Sequence, residues 1–186
     1  MKKLASLGLV LFATVSLAAC VSNEKKETNT ESTTIETTVS VPEETKMDDV
    51  YFDGETMKIE KATVKIISTE VLTPDESVYR DNNQLAFVYE VTNDSEEPLD
   101  GSMAWIACMN AYQETENTVG KLQVGTTPQD EKFAEYRGDE FDELKPGGTK
   151  KYVIAYDLND TTTPVILKAT QGVAGEEIGE KTFNLQ

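Results

Sequence analysis

Carboxylates are the side chains of this sequence whose number and spacing suit them for chemistry. The chain contains 34 aspartates and glutamates against 17 lysines and arginines, and the run GDEFDE occupies residues 138–143. Carboxylate oxygens are the ligands that Ca²⁺ prefers in proteins. The candidate calcium ligands are Asp139, Glu140, Asp142 and Glu143. In so acidic a chain such runs are more often solvated surface, so we predict no resident metal or cofactor.

Two other acidic segments have the outline of a calcium site. In DVYFDGETMKIE, residues 49–60, acidic residues occupy positions one, five and twelve of a calcium loop. Tyr51, however, fills the third position, where an oxygen ligand is expected. We interpret this spacing as coincidence, and DLND at 157–160 as a solvated loop.

The sequence contains no histidine, and this absence excludes several kinds of active site. Ser-His-Asp and Cys-His catalysis, zinc sites with imidazole ligands and acid–base work by imidazole all need that side chain. No spacing singles out a hydrolytic pair of carboxylates. No glycine-rich phosphate loop is present, since KPGG at 145–148 predicts a hairpin turn. We therefore predict that the protein is not an enzyme, the alternative being an enzyme that uses carboxylates alone.

The two cysteines, Cys20 and Cys108, have different surroundings. Cys108 belongs to the apolar segment MAWIACMNAY, residues 103–112, which we interpret as a strand. No lysine or arginine lies near Cys108 in the sequence to activate its thiol. We expect Cys108 and Trp105 to be core residues rather than a reactive group and a ligand platform.

Three tyrosines beside polar residues are candidates for exposed side chains that recognise a partner: Tyr79, Tyr112 and Tyr136.

Residues 1–19 have the character of a secretory signal. Lys2 and Lys3 precede an apolar run at 4–17 that is short for a membrane span. The next residues, Leu17-Ala18-Ala19-Cys20, resemble the lipobox of bacterial lipoproteins. The resemblance implies cleavage before Cys20 and a diacylglyceryl group on its sulfur, which would hold the protein at the outer face of a bacterial cell membrane. The alternative is an ordinary secretion signal cut near Ala18.

Residues 20–46 predict a disordered tether that follows the lipidated cysteine. They are rich in Thr, Ser and Glu and contain no aromatic residue, so they cannot bury enough apolar surface to offset their ordering entropy. Removal of residues 1–19 takes away two lysines and no acids, which changes the net charge from −17 to −19. A chain this acidic repels nucleic acid, which we exclude as a partner.

From residue 47 onward, apolar residues recur with a period of two, as in half-buried strands. Turn segments such as NDSEEPLDG and NDTTTP separate the runs, and a short helical turn is expected within 127–141. This pattern predicts a single all-β domain at 47–186, an antiparallel sandwich of seven or eight strands. The predicted strands fall within 58–72, 85–93, 103–112, 118–126, 140–144, 150–158, 164–170 and 181–185.

Two segments of this domain carry a family resemblance. LAFVYEVTNDSEEPL, from residue 85, and LKPGGTKKYVIAYDLNDTTTPVILKA, from residue 144, resemble an immunoglobulin-like domain of unknown function found in lipoproteins of Gram-positive bacteria. That domain is a relative of the telokin-like sandwiches. The resemblance covers about residues 57–186 and implies an immunoglobulin-like β-sandwich. It carries over no functional residue except Cys20 as the lipid-bearing position.

These observations favour a membrane-anchored extracellular lipoprotein that displays a non-catalytic interaction module. The partner would be a protein or a cell-wall polymer, and the membrane would be contacted through the lipid on Cys20. The negative charge predicts a basic patch on the partner and salt-sensitive association. The alternative is a surface domain that binds calcium or another small ligand, for which a melting temperature raised by calcium would be the sign.

Overall fold

Two antiparallel sheets enclose the core of the domain in the computed structural model, which describes residues 50–138 and 142–185. The strands are β1 (Tyr51–Phe52), β2 (Thr56–Lys58), β3 (Ala62–Leu72), β4 (Gln84–Asn93), β5 (Leu99–Asp100), β6 (Met109–Glu114), β7 (Val119–Lys121), β8 (Glu143–Leu144), β9 (Thr149–Asp157), β10 (Val165–Thr170) and β11 (Glu177–Phe183). One sheet has the order β1-β2-β3-β4-β9 and the other β11-β10-β6-β7, while β5 pairs with β8. The predicted all-β antiparallel sandwich is confirmed.

The five-stranded sheet is buried on both faces at its centre. Phe87, Tyr89 and Val91 alternate along β4 toward the core between the sheets. Ala86 and Val88, on the opposite face of β4, belong to a second cluster that lies under Phe133. Phe133 comes from the 3₁₀-helix Glu131–Tyr136, which confirms the short helical turn expected within 127–141. This short helix therefore covers the part of the outer face that β4 and β9 form near Phe133.

Residues 101–108 form a helix, α1 (Gly101–Cys108), and not the beginning of a strand. The prediction of a strand over 103–112 is wrong for this half and correct for Met109–Glu114. The side chain of Asp100 caps the helix, because its Oδ1 accepts hydrogen bonds from the backbone N–H groups of Ser102 and Met103. A helix that is apolar on all sides shows no periodicity, so its sequence is easily mistaken for a buried strand.

Trp105 and Cys108 are buried as predicted, although on α1 and not on a strand. The Trp105 ring lies 5.3 Å from the ring centre of Phe87 and 4.4 Å from that of Tyr89. Its Nε1 donates a hydrogen bond of 3.0 Å to the Tyr156 hydroxyl. Burial raises the pKa of the Cys108 thiol, which keeps the sulfur protonated and unreactive. The helix is thus fastened to the sandwich through its largest side chain.

The KPGG segment is a tight turn but not a hairpin, which corrects that prediction. Gly148 N–H donates to the Lys145 carbonyl over 2.7 Å, and Gly147 has a φ of 71°, a conformation that glycine adopts without strain. The two strands that the turn joins, β8 and β9, pair with β5 and β4 and not with each other. The turn therefore passes the chain from one sheet to another.

The remaining strand predictions are confirmed with changes of length. The segment at 118–126 contributes only β7, 140–144 contributes β8, and the last strand begins earlier than 181, at Glu177. The pattern did not predict β1 or β5, which have two residues each, and the single strand predicted over 58–72 contains the end of β2 as well as β3. The predicted signal (1–19), Cys20 and the tether (20–46) lie outside the described residues. Within the described ranges no helix is long and apolar enough to cross a membrane.

Candidate binding cleft beside the open edge of β9

Strand β9 forms one edge of the five-stranded sheet, and only part of that edge is covered. The Ala155 carbonyl accepts from Gly125 N–H, and Asp157 N–H donates to the Gln123 carbonyl, both over 2.9 Å. These groups point away from β4. Because the direction of backbone N–H and C=O groups alternates along an antiparallel strand, those of Val153 and Lys151 point to the same outer side. No hydrogen bond joins either backbone to another described residue, so within 50–138 and 142–185 this stretch of the edge is unpaired.

A cleft of about 480 Å³ lies against this open stretch. Tyr152, Val153 and Ile154 of β9 form one wall of the cleft. The other walls come from α1, from residues 124–129 and from residues 136–138. Its volume lies within the roughly 300–1,000 Å³ of ligand-binding clefts. The edge of β9 therefore opens into a depression and not onto a flat surface.

An apolar ridge borders the cleft on one side. Ile106 of α1 is 47% exposed and Val124 is 51% exposed, and both line the cleft. The same two residues also line a second hollow of about 270 Å³ on the other side, formed with Leu122 and Tyr156. α1 contains no charged residue, in a chain in which charged residues make up 27%. The two side chains therefore offer apolar surface to both hollows.

Among the described ionic groups of the cleft, one positive charge has no carboxylate partner. Asp100 is occupied by the cap of α1, where its Oδ1 also accepts from the Ser102 hydroxyl. Asp142 forms an ion pair of 2.8 Å with Lys150. Arg137 lines the cleft, half-buried, and has no carboxylate partner among the described residues. The cleft thus presents a guanidinium group in a protein whose net charge is −17.

Backbone carbonyl groups hold Arg137 in place. Its Nη1 donates to the carbonyls of Asp130, over 3.2 Å, and Pro128, over 3.4 Å. The Asp130 side chain is in turn bound by the buried Arg80, whose Nη1 lies 2.7 Å from Asp130 Oδ2. Arg80 Nε also donates to the Thr73 carbonyl over 2.6 Å, which ties residues 128–130 to the segment that follows β3. The guanidinium of Arg137 is positioned but not neutralised by these contacts.

Tyr152 contributes a buried hydroxyl group that has no hydrogen-bond partner among the described residues. Its ring packs between two glycines: a Cβ on Gly101 would lie 2.5 Å from the Tyr152 hydroxyl, and a Cβ on Gly138 would lie 3.1 Å from the Cε1 atom of that ring. Burial raises the pKa of Tyr152, so the hydroxyl remains a neutral donor. A buried donor without a partner costs about 1–3 kcal/mol. The wall of the cleft is therefore incomplete in its hydrogen bonding.

The candidate calcium ligands are not brought together in the part of the chain that the structure describes. Asp142 is paired with Lys150, Glu143 lies on β8, and Asp139 and Glu140 lie outside the described residues. No group of three or more Asp, Glu, Cys or His within 50–138 and 142–185 is arranged to hold a metal ion. In DLND, Asp157 receives a hydrogen bond from Gln84 and Asp160 accepts from the N–H groups of Thr162 and Thr163. Both aspartates of that loop therefore have local structural contacts.

The three tyrosines proposed for recognition lie in different environments. Tyr79 is 79% exposed and adopts a left-handed conformation with a φ of 57°. Tyr112 lies on β6 and is half-buried, and half-buried Tyr136 lines the cleft. Sequence reasoning missed Arg137, Tyr152 and the open edge of β9. The available signal was the scarcity of arginine, since Arg80 and Arg137 are the two arginines of the sequence and the structure assigns a role to each.

Residues 37–171 match a family described as a domain of unknown function, DUF5067. The chain belongs to the DUF5067 family. This confirms the predicted membership of a domain family of unknown function. No curated protein matches the chain.

The DUF5067 domain is similar to solved structures from Gram-positive bacteria. A structure described as that of a "putative lipoprotein" from Staphylococcus aureus subsp. aureus NCTC 8325 has a TM-score of 0.64 at 22% identity, with 74% of this chain and 92% of that chain covered. The NMR structure of a protein from Enterococcus faecalis has a TM-score of 0.57 at 18% identity, with coverage of 75% and 100%. An uncharacterized beta-sandwich protein from Clostridium difficile 630 has a TM-score of 0.44 at 18% identity, with coverage of 74% and 93%. The first two similarities support the sandwich fold.

Proposed function

We propose that the chain is a lipid-anchored protein of the bacterial cell surface whose sandwich domain is a non-catalytic binding module. The observation that carries the proposal is the cleft beside β9. It combines an open strand edge, an apolar ridge and a positioned guanidinium group, and these are means of recognition rather than of bond cleavage.

The anchoring part of the proposal rests on the sequence. Leu17-Ala18-Ala19-Cys20 has the residues of a lipobox in the required order, and a polar segment follows it. The similar Staphylococcus aureus protein is described as a "putative lipoprotein", which agrees with this assignment. We further propose that the domain is a relative of the immunoglobulin-like, telokin-like sandwiches.

The charge of the chain indicates the character of the partner. With a net charge of −17 the protein attracts surfaces that are basic overall and repels nucleic acid. Association driven by such a field weakens as salt is added, because exposed charges are screened beyond about 8 Å at physiological ionic strength. The proposed partner is therefore a protein or wall polymer of the envelope with positively charged surface around the contact.

Capture from the source bacterium tests the binding function. The full-length chain, immobilised in detergent, is exposed to envelope and secreted fractions at low salt, beside an unrelated protein of equal net charge. We expect one species to be retained by the chain alone and to elute as salt rises. Retention of the same species by the control protein, or none by folded protein in repeated trials, would contradict the proposal. A melting temperature that calcium raises would then favour a metal-binding domain.

A further inference from the structure

Building on this proposed binding function, we propose that the cleft takes an extended peptide segment of the partner. The peptide pairs through its main chain with the open edge of β9 and places one acidic side chain on Arg137. Main-chain bonds to the sheet edge would supply part of the affinity and the pocket contacts the specificity, as in β-augmentation.

The main-chain part of the proposal follows from the course of residues 123–125. Gln123 and Gly125 already extend the sheet at one end of β9, through their hydrogen bonds to Asp157 and Ala155. Beyond Gly125 no backbone hydrogen bond from the described residues reaches this edge, and the next outward-pointing groups belong to Val153 and Lys151. A peptide bound here would extend along β9 the pairing that Gln123 and Gly125 make with that strand. It would pair with backbone groups that the described structure leaves open at a sheet edge.

The side-chain part follows from the walls of the cleft. In an extended peptide, side chains two residues apart point to the same face. The cleft offers the apolar pair Ile106 and Val124 and the guanidinium of Arg137. We therefore expect an apolar and an acidic residue at alternate positions of the peptide. Since the field of the whole protein is negative, the peptide carries no net negative charge of its own.

The positioning of Arg137 favours a carboxylate over a neutral acceptor. Two backbone carbonyls occupy its Nη1 and leave the rest of the planar guanidinium for the bidentate geometry that carboxylates match. The two carboxylates that also line the cleft, Asp100 and Asp142, are engaged elsewhere. An acidic side chain of the partner would therefore meet a cation that has no competing acid among the described residues.

A library of random dodecapeptides, displayed on phage through their C-termini so that no free carboxylate ends the peptide, provides the probe. The library is selected on the full-length chain in detergent at low salt. Enriched peptides are synthesised with amidated C-termini, and their dissociation constants are measured by fluorescence anisotropy. The variants are Arg137→Gln and, as a matched control, Lys132→Gln. Lys132 is also a cation of the 128–137 segment, but it is exposed and paired with Glu70.

We expect enriched peptides to contain an acidic residue and to bind Arg137→Gln about tenfold more weakly, while Lys132→Gln changes affinity less than about twofold. Replacing the acid of the peptide by its amide should weaken binding to the unmodified protein as much, and binding to Arg137→Gln no further. The comparison of the two peptides on the unmodified protein needs no protein variant, so that comparison remains decisive if Arg137→Gln folds poorly. Binding should also slow hydrogen exchange at the amides of Val153 and Lys151.

Several results would overturn the peptide proposal: no enriched peptide, equal effects of the two variants, or unchanged exchange at Val153 and Lys151. Sedimentation of the free chain as a dimer that Lys151→Pro dissociates would instead assign the edge to a second copy. Envelope capture repeated with Arg137→Gln distinguishes failure of the peptide proposal from failure of the proposed binding function. Undiminished retention of the captured species would leave the binding function standing while this cleft loses its role.

Discussion

Two tyrosines on the inner face of β9 differ in what their hydroxyl groups meet. The Tyr156 hydroxyl accepts from Trp105 Nε1 and donates to the Met109 carbonyl over 3.1 Å, whereas the Tyr152 hydroxyl has no partner. We expect Tyr156→Phe to lower the free energy of unfolding by about 1–2 kcal/mol, because it leaves two buried groups unpaired. Tyr152→Phe removes only an unsatisfied group and should leave stability unchanged or raise it by up to about 1 kcal/mol.

Urea unfolding of the two variants beside the unmodified protein measures this contrast. The variants share strand, sheet face and chemical change, so each serves as the control of the other. Equal destabilisation would mean that the Tyr152 hydroxyl has a partner in solution, and the cleft would lose one of its distinguishing features.

The pair formed by Arg80 and Asp130 gives stability a dependence on pH. The hydrogen bonds from the Arg80 guanidinium hold the pKa of Asp130 below its usual value. A carboxyl whose pKa is lower in the folded state contributes stability above its unfolded pKa of about 3.9, and this contribution is lost as the pH falls through the lower, folded value. We expect Arg80→Met to destabilise the protein by about 1.5–3 kcal/mol at pH 7.

The same measurement at low pH provides the check on that prediction. Below the folded pKa of Asp130 both proteins carry a neutral carboxyl, so the difference in unfolding free energy between them should shrink. A difference that stayed constant down to pH 2 would show that Arg80 acts through packing and through its bond to the Thr73 carbonyl alone.

Arg137 illustrates why the candidate site was not predictable from sequence. Its neighbours in the chain, Tyr136 and Gly138, indicate a loop and nothing more. Its importance comes from Ile106, Val124 and Tyr152, which lie between 13 and 31 positions away and reach it only through the fold. The sequence therefore shows that the chain has few arginines. It does not show that one of them, Arg137, lines a cleft.

At the scale of elements, α1 shows where periodicity stops being informative. The strands with one polar and one apolar face, such as the first half of β3, were predicted from alternation. The segment at 103–108 is apolar on every side, because the helix is packed against the sandwich on one side and exposes Met103 and Ile106 on the other. The signal for a helix was local. Asp100 is a favourable N-cap residue, and Gly101 and Ser102 after it begin the first turn.

The capping of α1 by Asp100 can be tested directly. We expect Asp100→Ala to lower the free energy of unfolding by about 1 kcal/mol, since the N–H groups of Ser102 and Met103 lose their acceptor. Asp100→Asn keeps a capping oxygen and should retain most of that stability. Thermal unfolding followed by the near-ultraviolet circular dichroism of Trp105 reports on both variants. Equal loss in the two would assign the role of Asp100 to its charge and not to the cap.

The open edge of β9 makes a separate prediction for the free protein. The amides of Tyr152 and Ile154 point toward β4 and should exchange slowly with solvent, while those of Lys151 and Val153 should exchange faster. Hydrogen exchange followed by NMR resolves this alternation, and the amide of Asp157, bound to the Gln123 carbonyl, is the internal control for a covered edge. Uniform protection along β9 would mean that another segment covers the edge in solution.

At the scale of the whole molecule, the sandwich follows from alternation and turn chemistry, whereas the cleft follows from how distant segments meet. Short strands such as β1 and β5 escaped prediction because two residues cannot display a period. The family is described as one of unknown function, and the two similar structures support the fold alone. The surface around β9 is therefore the feature of the described residues that bears on recognition.

The proposed location of the chain depends on one of its two cysteines. If Leu17-Ala18-Ala19-Cys20 is processed as a lipobox, Cys20→Ser removes the sulfur that carries the diacylglyceryl group, and the protein should move from the membrane fraction to the medium. Cys108→Ala is the matched control, because that thiol is buried and its loss should leave the protein in the membrane fraction. Radioactive palmitate fed to the bacterium should label the unmodified chain and Cys108→Ala but not Cys20→Ser. Label that persists in Cys20→Ser, or release of all three proteins, would contradict lipid anchoring. The chain would then meet its partner in solution, where anchoring to the envelope no longer raises the local concentration of the chain near that partner.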